Sequence, residues 1–181
     1  MTTTTSATPT SQPQQVSWSK PLEGWVKLNE DGNRRSEPPS LAIGGVLRNS
    51  HGSWIIGFSN KVGHASVLEY EIRPLRDGLS LAWTLGYRKV EVASDSQVTV
   101  QLTKDFKFHP LGALLEDCRK YLLRQWDCRL HHSLREANQV ADALAELGHE
   151  CTSGETLWAN PPRNVETIVN NDRMGMIYIR N

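Results

Sequence analysis

The first half of the chain carries hydrophobic residues in three successive short segments. Residues 25–31 alternate with the two-residue period of a β-strand, and the short apolar segments 41–48 and 53–59 also predict strands. They are separated by a Pro-, Ser- and Arg-containing stretch at 32–40 and by Asn-Ser-His-Gly at 49–52, both typical of turns. This pattern predicts an antiparallel meander of three strands.

The chain then changes to helical spacing. Between residues 66 and 85, apolar side chains recur at steps of three and four residues, which is typical of an amphipathic helix. Shorter segments of both kinds follow. They predict a strand at 89–95, a brief helix at 97–102, a helix at 111–126, a strand at 127–132 and a helix at 136–147.

Leaving out the brief helix, the predicted order of elements is β-β-β-α-β-α-β-α. The first and third strands of a meander run in the same direction, and a right-handed crossover then brings the fourth strand parallel to the first. The first, fourth and fifth strands can therefore lie side by side with their carboxyl ends at one edge. Open α/β sheets bind ligands at such an edge, so the order predicts an α/β domain with its site there.

The two ends of the chain differ from its middle. The first fifteen residues are uncharged and of low complexity, so burial cannot offset the entropy of ordering them. They hold neither the apolar run of a secretory signal nor the arginines of a transit peptide. We expect a disordered tail at 1–23, one domain at 24–150 and a C-terminal extension at 151–181.

Composition narrows the class of protein. The chain has 20 Lys and Arg against 20 Asp and Glu, which excludes a protein that coats nucleic acid by net charge alone. No apolar run approaches the roughly 18 residues of a membrane span. The three cysteines form no CxxC pair, which argues against a zinc ribbon or disulfide framework and favours a nuclear or cytoplasmic protein with reduced thiols.

Acidic residues lie where the predicted strands end. Asp31 closes the first strand and Asp95 the fourth, so the two carboxylates would repel unless a cation lay between them. Glu71 and Asp142, on the long helices, could reach the same edge, and oxygen ligands suit Mg²⁺ or Mn²⁺. Taken singly, each residue also fits an ordinary role in a turn, beside a helix cap or on a solvated helix face.

Six blocks of sequence together resemble the plant retroelement-type ribonuclease H domain, the reverse-transcriptase-like class of the type 1 ribonuclease H family. Between residues 24 and 148 they read WVKLNEDG, GGVLRNSHGSWIIGF, EYEIRPLRDGLSLAWTLG, KVEVASDS, HPLGALLEDCR and REANQVADALAELG. The resemblance implies an RNase H-like fold with a mixed five-stranded sheet flanked by helices. It also implies an endonuclease that cuts the RNA strand of RNA–DNA hybrids with two Mg²⁺ ions, or Mn²⁺, and we expect a monomer.

The resemblance assigns roles to particular residues. The four metal-binding carboxylates of the family correspond to Asp31 in NEDG, Glu71 in EYEI, Asp95 in ASDS and Asp142 in QVADALA. The family's catalytic loop histidine stands ten residues before the last aspartate, and here that position is His132, with His131 as a weaker candidate. Contacts to nucleic acid are expected from Gly32, Asn33, Ser96, Gln97 and Asn138.

Departures from the family pattern keep other functions open. Pro74 follows Glu71 by three residues and would cost about 3 kcal/mol in a helix interior. Arg73 takes an apolar position, and the loop at 33–39 is unusually charged. The alternatives are a catalytically silent, retroelement-derived nucleic-acid-binding domain, and a module that binds a partner through exposed tryptophans. Phosphate contact, or ordinary solvated charge, is the expected role of Lys27, Arg34, Arg35 and Arg73.

Overall fold

The computed structural model describes residues 13–63, 65–105, 109–152 and 154–180. The first twelve residues of the expected tail therefore lie outside the described residues. The elements are β1 (Gln14–Val16), β2 (Val26–Arg35), β3 (Ser40–Arg48), β4 (Trp54–Val62), α1 (Val67–Thr84), β5 (Lys89–Ser94), α2 (Gln97–Lys104), α3 (Gly112–Leu122), β6 (Asp127–His132), α4 (Gln139–Gly148), β7 (Glu155–Trp158), α5 (Arg163–Arg173) and β8 (Tyr178–Arg180).

A mixed sheet in the order β6-β5-β2-β3-β4-β7 forms the centre of the molecule. The meander β2-β3-β4 is antiparallel, and β5 and β6 run parallel to β2. The predicted α/β class and the parallel trio are confirmed. The expected count of five strands is wrong, because β7 from the C-terminal extension pairs with β4, with Gly57 opposite Trp158 and Asn60 opposite Glu155.

Both terminal segments belong to the fold, which corrects the expected tail at 1–23 over its described part. β1 pairs with β8, with Gln14 opposite Arg180. Trp18 is only 3% exposed, and it supplies the large apolar surface that the first fifteen residues lack. The extension at 151–181 likewise contributes β7, α5 and β8 and is not a separate appendage.

The first hairpin is tighter than its composition suggests. β2 continues through the predicted loop as far as Arg35, which pairs with Ser40, so only residues 36–39 turn. At the other end of the domain, the helix expected at 136–147 begins as a single 3₁₀ turn, and the α-helical part starts at Gln139. The boundaries of the remaining elements lie close to the predicted ones.

Helices cover both faces of the sheet. Leu47 faces a core shared with α1 and α3, whereas its neighbour Val46 packs against α4 and α5 on the other face. Gly44 allows α4 to lie directly on β3, because a Cβ there would come within 2.2 Å of the Ala145 nitrogen. Within the described residues, no helix combines the length and apolarity needed to cross a membrane.

Candidate active site

A cleft of about 330 Å³ opens at the carboxyl edge of β2 and β5. Its walls come from the end of β2, the first turns of α1, the β5–α2 junction and the loop before α4. Acidic and polar side chains dominate the lining. The lining residues are Glu30, Asp31, Gly32, Asn33, Arg34, Tyr70, Glu71, Ser94, Asp95, Ser96 and Arg135.

Asp31 and Asp95 are neighbours in this cleft, as the parallel pairing of β2 with β5 predicts. The interaction between their carboxyl groups contributes to the pKa shifts of both. Burial raises the pKa of Asp31 well above its usual value, and repulsion from Asp95 and Asp142 adds to the shift. Burial also raises the pKa of Asp95, while the Arg135 cation opposes that shift. The pair is therefore poised to gain from a nearby cation.

Glu30 is an acidic residue of the cleft that the sequence analysis did not single out. It faces the α1 side of the sheet together with Leu28 and is 1% exposed. Burial raises its pKa to about 8, although a hydrogen bond with Ser94 opposes the shift. Its Oε1 has no hydrogen-bond partner among the described residues. The sequence did carry a signal for Glu30, because it is an acidic residue at a position of an alternating strand that faces the core.

Glu71 is directed into the cleft from the second turn of α1. Ser66 caps this helix by accepting a hydrogen bond from the Glu69 amide. The Ser96 hydroxyl donates to Glu71 Oε2 at 2.8 Å. Ser96 also caps α2 by accepting from the Thr99 amide at 3.2 Å, so one serine joins α2 to the Glu71 carboxylate.

Pro74 does not interrupt α1, which runs unbroken from Val67 to Thr84. Its missing N–H leaves the Tyr70 carbonyl without the usual helical donor. That carbonyl lies against Gly32, where a Cβ would come within 2.5 Å of the Tyr70 oxygen. Gly32 therefore lets the strand bearing Asp31 approach the helix turn that precedes Glu71.

Asp142 lies beside the cleft and is not part of its lining. Its Oδ1 accepts from Asn33 at 3.4 Å and from Arg135 at 3.3 Å. Asp142 nevertheless raises the pKa of both Asp31 and Asp95 through its charge. Among the described residues, no three Asp, Glu, His or Cys side chains are already arranged as a metal site. Asp142 and Glu71 would have to exchange their present partners to join one.

The two candidate histidines at the end of β6 differ in their surroundings. His132 is exposed, and its Nε2 lies 3.2 Å from the Asp95 carbonyl oxygen at the mouth of the cleft. His131 points elsewhere, 3.6 Å from Glu91, and burial lowers its pKa. The position of His132 therefore suits an accessory role at the site, and that of His131 does not.

The residues expected to contact nucleic acid divide into two groups. Gly32 and Ser96 line the cleft, and Gln97 is exposed next to Ser96. Asn33 also lines the cleft, but its side chain bonds both Asp142 and the His149 ring, 3.0 Å away. The prediction that Asn138 contacts nucleic acid is corrected, because its side chain is 1% exposed and therefore cannot reach a bound strand.

Most of the basic side chains expected to contact phosphate already form ion pairs with acidic residues of this chain. Lys27 is buried and lies 2.7 Å from Glu91, and Arg73 lies 3.7 Å from Glu69. Arg35 pairs with Glu146 and Glu150. Arg34 is exposed at the cleft. None of the six tryptophans, all within the described residues, is exposed, which removes the basis of the partner-binding alternative.

Comparison with known proteins gives consistent matches. A family profile described as reverse transcriptase-like matches residues 29–148. A protein of Arabidopsis thaliana, provisionally named as a ribonuclease H protein, is 35% identical over 162 residues. That match covers 88% of this chain and 26% of the relative, so the chain spans about a quarter of the relative's length.

Solved structures with the same fold include RNase H1 from the archaeon Halobacterium salinarum. It is 28% identical, with a TM-score of 0.62, and the match covers 70% of this chain and 98% of that one. LC11-RNase H1, isolated from compost and solved in complex with an RNA/DNA hybrid, is 22% identical with a TM-score of 0.61. That match covers 69% of this chain and 96% of the other, and at this identity it bears on the fold alone.

Proposed function

The chain belongs to the reverse transcriptase-like family of ribonuclease H domains, and from this membership we propose that it is an endonuclease that hydrolyses the RNA strand of RNA–DNA hybrids with divalent metal ions. One observation carries the proposal. Asp31, Glu71 and Asp95 come from three separate elements and line one solvent-open cleft at the carboxyl edge of the parallel strands. Hydrolysis of a phosphodiester at such a site requires positive charge near the phosphorus, which these carboxylates are suited to recruit.

The donor set of the cleft fits hard divalent cations. Every acidic group there presents oxygen, and burial and mutual repulsion raise the pKa values of Asp31 and Asp95 in the absence of a cation. Glu30, whose pKa burial raises to about 8, adds a further buried carboxyl group behind them. Two Mg²⁺ or Mn²⁺ ions would be held by Asp31, Glu71, Asp95 and Asp142, and when bound they would activate water and stabilise the departing 3′ oxygen.

The chain's own residues prepare the site in several ways. Ser96 holds Glu71 toward the cleft, and Asn33 and Arg135 both donate to Asp142 Oδ1. His132 lies at the entrance, where an imidazole can exchange protons between water and a departing group.

For substrate contact we assign Gly32, Ser96 and Gln97 to the RNA strand and exposed Arg34 to a phosphate. The Arabidopsis thaliana relative, which is named as a ribonuclease H protein and is 35% identical to this chain, supports this substrate class.

Cleavage of a labelled RNA–DNA hybrid in Mg²⁺ tests the proposal directly. Asp31→Asn and Asp95→Asn should each lower the cleavage rate by roughly a thousandfold or more, because each removes charge that the ions require. Asp117→Asn is the matched control, since Asp117 lies on α3 and its one ion pair among the described residues is with Lys120, 3.6 Å away. The control should cleave at the wild-type rate, and double-stranded DNA should stay intact.

Thermal melting reports metal binding without substrate. Mg²⁺ at about a hundred times its dissociation constant should stabilise the folded state by about 2.7 kcal/mol. Asp31→Asn should lose this stabilisation, and Asp117→Asn should keep it. No metal-dependent shift in the wild type would contradict the proposed mechanism.

A second candidate function is a catalytically silent domain that binds hybrids. The observation favouring it is that Arg135, a cation of the cleft wall, already pairs with Asp142, while no preformed group of three ligands occurs among the described residues. Hybrid binding that is tight, independent of Mg²⁺ and unaccompanied by cleavage would establish this alternative.

A further inference from the structure

A buried ion pair joins the C-terminal extension to the sheet beneath the candidate site. Arg48 Nη1 on β3 donates to Asp172 Oδ2 on α5 at 2.6 Å, and both side chains are almost fully buried. Burial lowers the pKa of Arg48 to about 10 and raises that of Asp172, although each charge favours the other's ionised form. Removing one partner from such a pair leaves the other charge buried and uncompensated.

The N-terminal segment reaches the same pair from the opposite end of the chain. The Trp18 ring lies over the Arg48 guanidinium, with 3.7 Å between the ring centroid and the guanidinium carbon. The Trp18 indole N–H donates to Asn29 Oδ1 at 2.8 Å, and Arg48 Nη2 donates to the same oxygen at 3.0 Å. Because Asn29 Oδ1 accepts both bonds, the amide nitrogen of Asn29 is forced to face the other way.

That nitrogen points to the start of the helix that carries Asp142. Asn29 Nδ2 donates to Asn138 Oδ1 at 3.0 Å, and Asn138 Nδ2 donates to the Glu30 carbonyl at 2.9 Å, one residue before Asp31. The Asp142 amide in turn donates to the Asn138 carbonyl at 3.2 Å. The chain of bonds therefore runs from both terminal segments to the backbone that holds two of the candidate ligands.

We propose that Trp18, Arg48 and Asp172 are positioning residues that fix Asp142 relative to Asp31 through Asn29 and Asn138. The proposal rests on the proposed function, because it treats these two carboxylates as metal ligands. Trp18 and Asp172 lie outside residues 29–148, the part that matches the family profile. The site of this chain thus depends on segments that lie beyond the matched domain.

Asp172→Asn tests the proposal in the full-length chain. The control is Leu115→Ala, a buried truncation on α3 in the core against the other face of the sheet, which lowers stability without touching the bonded chain. Both variants are compared at the same interval below their melting temperatures. The first readout is hydrogen exchange of the Asp142 backbone amide, and the second is Mn²⁺ affinity without substrate.

We expect Asp172→Asn to speed exchange of the Asp142 amide by about tenfold and to weaken Mn²⁺ binding by about tenfold, as for other residues that orient metal ligands. The control should change either quantity by less than about twofold. Equal behaviour of the two variants would overturn the proposal. If Asp172→Asn does not fold, Trp18→Phe keeps the ring over Arg48 but removes the indole donor, and about a threefold effect is expected.

The two proposals fail in different ways. A wild-type chain that binds no Mn²⁺ would refute the metal mechanism. Hydrogen exchange of the Asp142 backbone amide would then decide by itself whether the terminal segments order the first turn of α4. A wild-type chain that binds Mn²⁺ and cleaves hybrids, with Asp172→Asn matching the control in both readouts, would refute the positioning role alone.

Discussion

At the scale of single residues, Gly32 is a position of the site that leaves no room for a side chain. Replacing it with alanine would force a Cβ against the Tyr70 carbonyl and ring, both within 2.5 Å of the ideal position. We expect Gly32→Ala to displace the turn before Glu71 and to lower hybrid cleavage by roughly a hundredfold, as for a misplacement near 1 Å. Gly112→Ala, where nothing lies within 4 Å of the added carbon, should leave cleavage unchanged.

His149 gives the protein a specific sensitivity to acid. It is 4% exposed, its ring lies 2.7 Å from the Ser40 hydroxyl and 3.0 Å from Asn33, and burial lowers its pKa. Arg35 lowers this pKa further, whereas Glu146 and Glu150 oppose the shift.

Because the folded state binds the His149 proton less readily than the unfolded state, this residue contributes stability above a pH of about 6.5 that is lost as the pH falls. His149→Gln should therefore flatten the decline of melting temperature below that pH. Melting curves of both proteins across the range would show it, and parallel declines would contradict the assignment.

Some of these residues could be predicted from the sequence and others could not. Asp31 and Asp95 could be predicted as neighbours because each ends a predicted strand and the crossover rule fixes the strand directions. The burial of Asn138 could not be predicted, since a short amide side chain on a helix start equally suits solvent or a bonded interior. Which partner an amide chooses depends on the three-dimensional neighbours, here Asn29 and the Glu30 carbonyl.

At the scale of elements, α1 carries a removable defect. Pro74→Ala would restore the bond from residue 74 to the Tyr70 carbonyl and remove a cost of about 3 kcal/mol, while losing about 2 kcal/mol of apolar burial. The net gain of about 1 kcal/mol should raise the melting temperature by a few degrees and leave or improve cleavage. The control is Arg73→Ala, which leaves that carbonyl untouched and should change the melting temperature little. An unchanged or lower melting temperature for Pro74→Ala would contradict the prediction that Pro74 destabilises α1.

The missed sixth strand shows why short elements escape prediction. β7 has four residues, too few for an alternating pattern to stand out from a loop. Its pairing depends on tertiary contacts instead. The Trp158 indole donates to Ser59 Oγ at 2.9 Å, and the Trp54 indole donates to the Trp158 carbonyl at 2.9 Å.

At the scale of the whole molecule, the domain boundary expected at residue 150 would cut through the fold. A chain ending at 150 would lose β7 and α5, and Arg48 would lose Asp172, a loss that costs about 3–5 kcal/mol where the remaining charge stays buried. Such a loss is a large share of the stability of a typical domain, about 5–15 kcal/mol. We expect this fragment to lack a cooperative melting transition by circular dichroism. A transition near the full-length temperature would instead make the extension dispensable.

The pairing of β1 with β8 has a consequence for topology. Gln14 and Arg180 lie opposite each other on adjacent strands, so a few residues could join β8 directly to β1 without strain. New termini could then open in the exposed turn after α3, at residues 123–125. Such a circular permutant would keep Trp18 and Asp172, and its new termini would lie near the end of α1 that is distant from Glu71. A cargo protein fused at these termini would therefore leave the carboxylate cleft unobstructed.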